Sequence, residues 1–479
     1  MRWPLQLTID PGSRVPLTAQ IADGVVAGIR SGRLRTEQRL PGSRALAQAL
    51  SVSRNTVVAA YEELTAQGWL RMTRGSGAFV CAVMPTVVSA RGERNWSQLG
   101  FDLRPKVPRD LRGSRDDLRI VWDWGIPDAR IAPIAEIARA YRHALTPETI
   151  GYGRLDGRRT SRLQQCLAEM LSLTRGHPVP AANVLTTRGS LMALYLVARV
   201  LVRPGDVVAI EEPGYDSGWK QLQLAGAEIA PLPVDAEGVS VSALRKLCAR
   251  RRVRAIFVTP HHQFPTTVTL SASRRVELLQ LAQEQRIAVI EDDCDHEFHY
   301  DGRPVPPLFN SDPAGNVIYV GSLSKILAPG LRLGYVVAPA ALIAELASFR
   351  QLIDREGDKP LEAAIAELFD DGTLARHYNR SRRVYRARRD ALFEMLQRKL
   401  GGALELTLPH GGMAIWARVD PGVDVEAWAA RAFEQGLFFR TGRLFYLDHA
   451  PRQFVRLGFA CMDEAELEVA VARMARALR

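Results

Sequence analysis

Between residues 183 and 338 the chain repeats one pattern: a short apolar, β-branched run, then a stretch of helical periodicity. The runs are Asn183–Thr187, Asp206–Ile210, Arg254–Thr259, Arg286–Glu291, Asn316–Val320 and Leu333–Ala338. Alternation of this kind predicts an α/β fold with a mostly parallel sheet and helices on both of its faces. Such sheets bind ligands outside the C-terminal ends of their strands, so the residues just after each run are the ones to read for chemistry. The pattern extends from about Val121 to the C-terminus. A long arginine-rich helix over 373–400 is expected to bridge to a smaller C-terminal α/β subdomain.

The remaining N-terminal stretch is different in kind. At 479 residues the chain exceeds what one core usually supports, and two or three domains are expected. Residues 1–80 form one of them. Leu17, Ile21 and Val25 share a helix face, and Gly32 follows as a stop. A second helix starts near Ser43, read as its N-cap, and carries Leu46 and Leu50. A polar turn leads to a third helix capped by Ser53, with Val57, Tyr61 and Leu64 as its apolar stripe and Gly68 as its end. Then Trp69–Met72 and Gly77–Val80 flank the turn Thr73–Ser76 as a hairpin. Helix, turn, helix and a glycine-containing hairpin is a winged helix-turn-helix. Residues 81–120 carry scattered arginines and prolines with few apolar clusters, and read as a flexible basic linker.

The formal net charge of +11 fits a polyanionic partner, although a compositional bias toward arginine would give the same total. Position decides: the first 80 residues hold ten arginines against five acids. In a winged helix the third helix lies in the major groove and presents its first turn to base edges, here Arg54, Asn55 and Thr56. Ser43, Arg44 and Ser53 sit at helix N-termini suited to phosphate oxygens. Arg74 and Gly75 occupy the wing. A small helical adaptor with solvated arginines is the alternative on shape alone.

No run approaches the ~20 apolar residues of a membrane-spanning helix, and Met1–Ile9 lacks the apolar core of a signal peptide. The five cysteines, Cys81, Cys166, Cys248, Cys294 and Cys461, are scattered and form no Cys-x-x-Cys or Cys/His cluster. Neither a metal site nor a disulfide framework is expected, and a cytoplasmic setting follows.

Four stretches at strand ends carry the chemistry. Ser322-Leu323-Ser324-Lys325 offers an amine for a Schiff base, with Arg332 seven residues on for a phosphate; alone, the string is as well read as a surface lysine. Glu291-Asp292-Asp293 places a carboxylate able to pair with a pyridinium nitrogen, and a magnesium site is the competing reading. Thr187-Arg188-Gly189-Ser190 is a glycine turn at a helix N-terminus, able to bind phosphate. Glu212-Pro213-Gly214-Tyr215 supplies an aromatic ring able to stack on a pyridine ring.

The N-terminal string from about Val15 to Val80, RLPGSRALAQALSVSRNTVVAAYEELTAQGWLRMTRGSGAFV within it, closely resembles the winged helix of GntR-superfamily regulators. The four C-terminal motifs, in this order, resemble fold-type I aminotransferases across 121–479. Gly125–Asp128 resembles the start of that domain, Gly411–Met413 and Val455–Ala460 are also similar, and His262–Thr266 (HQFPT) replaces the aminotransferase Asn-Pro motif, as is common in MocR-type regulators. Together they resemble MocR-type regulators.

That resemblance implies pyridoxal 5′-phosphate as cofactor and roles for particular residues. It implies Lys325 for the internal aldimine, Asp292 for the ring nitrogen and Tyr215 for the ring face. Gly189, Ser190, Ser322 and Arg332 are implied for the phosphate, Tyr152 for the partner subunit's phosphate in a homodimer, and Arg456 for a ligand carboxylate. Three positions depart from the family pattern. Cys294 stands where a tyrosine usually donates to the cofactor O3′, and a thiol is a weaker donor. Thr267 stands where glycine follows the FPT, and Leu191 where glutamine is common. The expectation is a regulator that binds double-stranded DNA and senses an amino compound or vitamin B6 by aldimine chemistry, with muted transaminase turnover. A working aminotransferase and a cofactor-free scaffold are the alternatives.

Overall fold

The computed structural model describes residues 7–83, 101, 120–122, 125–151, 160–176, 178–293, 295–355 and 357–479. The chain divides into two compact units, Met1–Arg104 and Pro105–Arg479.

In the first unit, helices Leu17–Arg30, Ser43–Leu50 and Arg54–Ala66 precede an antiparallel hairpin of Leu70–Thr73 and Gly77–Val80. Ile21, Val25, Leu46, Val57, Tyr61 and Leu64 are all buried in one cluster with Trp69 and Val80. The i, i+4 spacing of the apolar residues therefore does what it predicts. One cap differs. Gly42, in extended conformation, is the N-cap of the second helix, and Ser43 is its first helical residue. The Ser43 hydroxyl accepts instead from Arg54 Nε at 3.4 Å.

The second unit is built on an eight-stranded sheet. Its order is Val184–Thr187, Gly334–Val337, Val317–Ser322, Ala288–Asp293, Val253–Val258, Val207–Glu212, Glu228–Asp235 and Gly238–Val239. Gly334–Val337 runs antiparallel to both its neighbours, and Gly238–Val239 antiparallel to Glu228–Asp235; the other pairs are parallel. All six expected runs are strands. Three of them, Val207–Glu212, Ala288–Asp293 and Val317–Ser322, continue past their last apolar residue, which places acidic and hydroxyl side chains on the strand ends themselves. Glu228–Asp235 was not among the expected runs, because Pro231 and Pro233 argue against a strand. It tolerates them near the sheet edge, beside the two-residue strand Gly238–Val239.

The arginine-rich helix spans Thr373–Leu400 as expected. It leads to an antiparallel sheet of Leu404–Leu406, Ala414–Val419, Phe454–Gly458 and Arg440–Thr441. Residues Ile120–Val121, at the expected boundary between linker and second domain, pair with Leu437–Phe438 of this subdomain. Trp122 is fully buried there, its Nε1 donating to Gly458 O at 2.8 Å.

Candidate functional site

At the N-terminal end, Ser53 Oγ accepts from Thr56 N at 3.1 Å and so satisfies one of the orphan amides of the third helix. Arg54 and Asn55 are exposed on the first turn, and Thr56 is half-buried with its hydroxyl 2.8 Å from Ser53 Oγ. Tyr61, buried, donates to Pro41 O at 2.9 Å and ties this helix to the start of the second. The Arg54–Ser43 contact brings the two helix starts together, with Arg44 exposed beside them. Arg74 and Gly75 are exposed at the tip of the hairpin, where Gly75 has φ +79 and Ser76 N closes the turn on Thr73 O at 3.0 Å. A basic, solvent-facing helix start and wing tip can engage a polyanion.

In the second unit, strand geometry separates the run of acids. Successive side chains on a strand point to opposite faces, so Glu291 and Asp293 leave one face and Asp292 the other. Glu291 accepts from Leu308 N at 2.7 Å and Phe309 N at 3.2 Å, and burial pushes its pKa up to about 8. Asp293 Oδ2 accepts from Tyr319 OH at 2.9 Å and lies 2.8 Å from His296 Nδ1. Burial alone would raise Asp293; the charge and hydrogen bond of His296 win and hold it well below the usual range. Asp292 is only 6% exposed. Acids turned apart in this way do not converge on one hard cation, which removes the magnesium reading.

Glu211, on the neighbouring region of the sheet, accepts from Thr259 N (2.9 Å), Thr259 Oγ1 (2.7 Å) and Gln263 Nε2 (3.3 Å), all on Oε2. Burial pushes it up to about 7, with the Asp292 charge adding to the rise.

Lys325 is half-buried and its Nζ donates to Gly125 O at 2.7 Å. Gly189 has φ +76 and precedes the helix Ser190–Leu201 with no side-chain cap on that helix's first amides. A Cβ on Gly189 would lie 2.8 Å from Arg332 Nη2, and one on Gly334 would lie 2.6 Å from Gly189 C. Ser322 pairs in register with Gly334, and Gly334 with Thr187. Gly189, Ser190, Ser322 and Arg332 therefore come together across three strand ends. Uncapped amides, a guanidinium and space that only glycine leaves open make a cradle that fits a phosphate, with an amine in the same strand-to-helix region.

Tyr215 and Arg456 converge on a residue not singled out in the sequence. The Phe264 ring lies 5.2 Å from that of Tyr215, edge-on, and Arg456 Cζ lies 4.4 Å above it. Arg456 is 4% exposed, donates to Pro265 O, and is pushed down to about 10 by burial. Asp295 is the other residue that sequence reasoning missed. Burial would raise it, but His262, at 3.0 Å from its Oδ1, and the Lys325 charge hold it below the usual range. The HQFPT string was the available signal for Phe264 and His262; for Asp295 it was its place two residues beyond the acid pair. Thr267 has φ +65, the conformation for which the family pattern supplies glycine. Tyr152 and Cys294 lie outside the described residues.

Comparison with known proteins agrees with this geometry. Residues 119–474 match the family model "Aminotransferase class I and II", and residues 17–80 match "Bacterial regulatory proteins, gntR family". The chain is thus a class I and II aminotransferase-type protein fused to a gntR-type reader. Among curated relatives, the probable rhizopine catabolism regulatory protein MocR of Rhizobium meliloti is 34% identical over 95% of this chain and 92% of that protein. The HTH-type transcriptional regulator TauR of Rhodobacter capsulatus is 32% identical over 98% of each. A kynurenine aminotransferase of Pyrococcus horikoshii, solved with PMP, superposes with TM-score 0.70 at 29% identity, over 77% of this chain and 95% of that one. The chain belongs to the MocR-type family of regulators.

Proposed function

We propose that this protein is a transcription regulator that binds double-stranded DNA through residues 17–80 and senses an amino compound at pyridoxal 5′-phosphate held by its second domain. The observation that carries the proposal is the presence, in one chain, of a gntR-type reader and of Lys325 beside the Gly189–Arg332 cradle. When bound, pyridoxal 5′-phosphate supplies an electrophilic carbon that condenses with primary amines and a ring that withdraws electrons.

The chain's residues divide the work. Gly189, Ser190, Ser322 and Arg332 hold the phosphate. Asp292 holds the ring nitrogen protonated, and Tyr215, braced by Phe264, covers a ring face. Buried Arg456 takes the ligand carboxylate. Tyr152 and Cys294 keep the roles their positions imply, at the partner subunit's phosphate in a homodimer and near the cofactor O3′. Lys325 Nζ, which donates to Gly125 O, is the amine that would engage the cofactor, at the expense of that hydrogen bond. Gly125 follows closely on the 81–120 linker in sequence, so the choice Lys325 makes is felt where the chain enters the domain. Arg54, Asn55 and Thr56 read base edges, Ser43, Arg44 and Ser53 contact phosphates, and Arg74 and Gly75 follow the backbone or enter the minor groove.

The test couples two readouts on the same sample. Duplexes enriched from a random DNA pool serve as the probe, and a panel of amino acids, other primary amines and B6 vitamers is added to cofactor-loaded protein. Visible absorption and DNA affinity are followed together. The reading predicts at least one compound that changes both. Compounds that change absorption without ever changing DNA affinity, and that yield keto acid over many turnovers, would favour a working aminotransferase, the reading that the Lys325–Asp292–Arg456 set keeps open.

A further inference from the structure

Four histidines gather between the end of strand Val253–Val258 and the turn after Ala288–Asp293. Two of them have an evident structural occupation. His296 Nδ1 lies 2.8 Å from Asp293 Oδ2, and His262 Nδ1 lies 3.0 Å from Asp295 Oδ1. The others do not. His261 is 3% exposed, and among the described residues neither of its ring nitrogens has a hydrogen-bond partner. Burying an imidazole with both nitrogens unsatisfied costs roughly 1–3 kcal/mol for each lost bond, a cost that needs a reason. His261 stacks on His296 with centroids 4.1 Å apart, which fixes its plane but satisfies no nitrogen. His299 Nδ1 faces His262 Nε2 at 3.4 Å, long for a hydrogen bond but close to the edge of a tetrahedron of nitrogens around a metal at about 2.1 Å.

We propose that His261, His262 and His299 form a site for a borderline divalent transition metal of the zinc class. One nitrogen from each lies within 4.8 Å of the others, so small side-chain rotations close the set. Three imidazoles with a water in the fourth position is a donor set and geometry that zinc accepts. Asp295 orients the His262 ring through Nδ1 and leaves Nε2 to face the metal, the second-shell arrangement common in histidine sites. The Gly411 backbone passes close to that nitrogen, where only glycine is accommodated: a Cβ there would fall 2.0 Å from His262 Nε2. His299 is half-buried and lines a cavity of about 390 Å³ that gives an entry path from solvent. The sequence offers no warning, since His262 and His299 are 37 residues apart and no cysteine pair frames them. The proposal does not depend on the regulatory reading, although Asp295 also feels the charge of Lys325.

Cobalt(II) is the probe, because nitrogen-ligated tetrahedral cobalt absorbs strongly in the visible. Full-length, cofactor-loaded protein, stripped with chelator, is titrated with Co2+ and back-titrated with Zn2+. One equivalent per chain is expected, with a visible band that zinc abolishes. His299→Ala and His261→Ser are expected to lose the band, and Asp295→Asn to weaken binding about 10–100-fold. His143→Ala, an exposed side chain of the helix Ile134–Ala144, should bind as the native chain does. Circular dichroism and the cofactor absorption of each variant separate loss of a ligand from loss of fold. A native chain that takes up no stoichiometric cobalt, or folded His299→Ala and His261→Ser variants that bind it unchanged, overturns the proposal.

Discussion

Glu211 is a fully buried carboxyl whose pKa is pushed up to about 7. Its three hydrogen bonds, from Thr259 N, Thr259 Oγ1 and Gln263 Nε2, all end on Oε2, so the proton of the neutral acid belongs on Oε1. Glutamine matches that arrangement, its oxygen replacing Oε2 and its amide replacing the protonated Oε1. The folded state holds the proton more tightly than the unfolded chain, whose carboxyl titrates near 4.5. The contribution to stability is therefore fully present below about pH 4.5 and is lost as the pH rises through 7. A shift of this size corresponds to about 3 kcal/mol at 1.36 kcal/mol per unit. Glu211→Gln removes the titration. Urea unfolding with saturating cofactor, followed by near-UV circular dichroism, should place the variant within about 1 kcal/mol of the native chain at pH 5 and roughly 2–3 kcal/mol above it at pH 8. A stability gap that does not change with pH, or that shrinks as the pH rises, refutes the assignment of a neutral acid at this position.

Thr267 sits at φ +65, a conformation that costs a β-branched residue about 1–3 kcal/mol, against roughly 0.5–1 kcal/mol of chain entropy that glycine adds. Thr267→Gly should raise stability by about 1 kcal/mol in the same urea assay. Gly189→Ala introduces a Cβ 2.8 Å from Arg332 Nη2 at a backbone angle that L-residues avoid; equilibrium titration should show cofactor affinity reduced about tenfold or more. Arg54→Ala should cost about 1–3 kcal/mol of affinity for selected duplexes in fluorescence anisotropy and leave the cofactor spectrum unchanged.

The elements of this fold were legible wherever apolar periodicity decides them: the six runs are strands, and the helix Thr373–Leu400 appears with its expected ends. Legibility failed where the deciding contact is tertiary. A reading of apolar runs stops at Ile210, Glu291 and Val320, yet backbone pairing carries the strands on to Glu212, Asp293 and Ser322. Ser43 looks like a cap, but the chain turns at Gly42 and the hydroxyl goes to Arg54. The candidate site shows the same division. Lys325, Gly189 and Arg332 could be singled out because their spacing after strands has local meaning. Asp295 was missed because it takes its meaning from His262, and Gly125 was named only within the Gly125–Asp128 stretch, without a role, because its partner Lys325 is distant in sequence.

The contact between Lys325 and Gly125 makes the regulatory reading quantitative. A hydrogen bond from an ammonium is worth about 1.5–3 kcal/mol, so making or breaking it changes a two-state equilibrium by roughly 10–100-fold. Gly125 has φ +114 and lies against Met413, and three residues earlier Trp122 is anchored on Gly458. The chain therefore enters this domain over a short segment tied at one point to the C-terminal subdomain and at another to the cofactor lysine. On the proposed reading, bound cofactor would engage the Lys325 amine at the expense of its bond to Gly125 O, and a ligand amine that displaced Lys325 would restore that bond. Lys325→Met can never supply that donor. With cofactor present, its DNA affinity should stay at the unliganded level whatever amine is added, while the native chain moves by the factor above. A Lys325→Met variant that still changes DNA affinity on addition of an active amine would show that the signal leaves the site by another route.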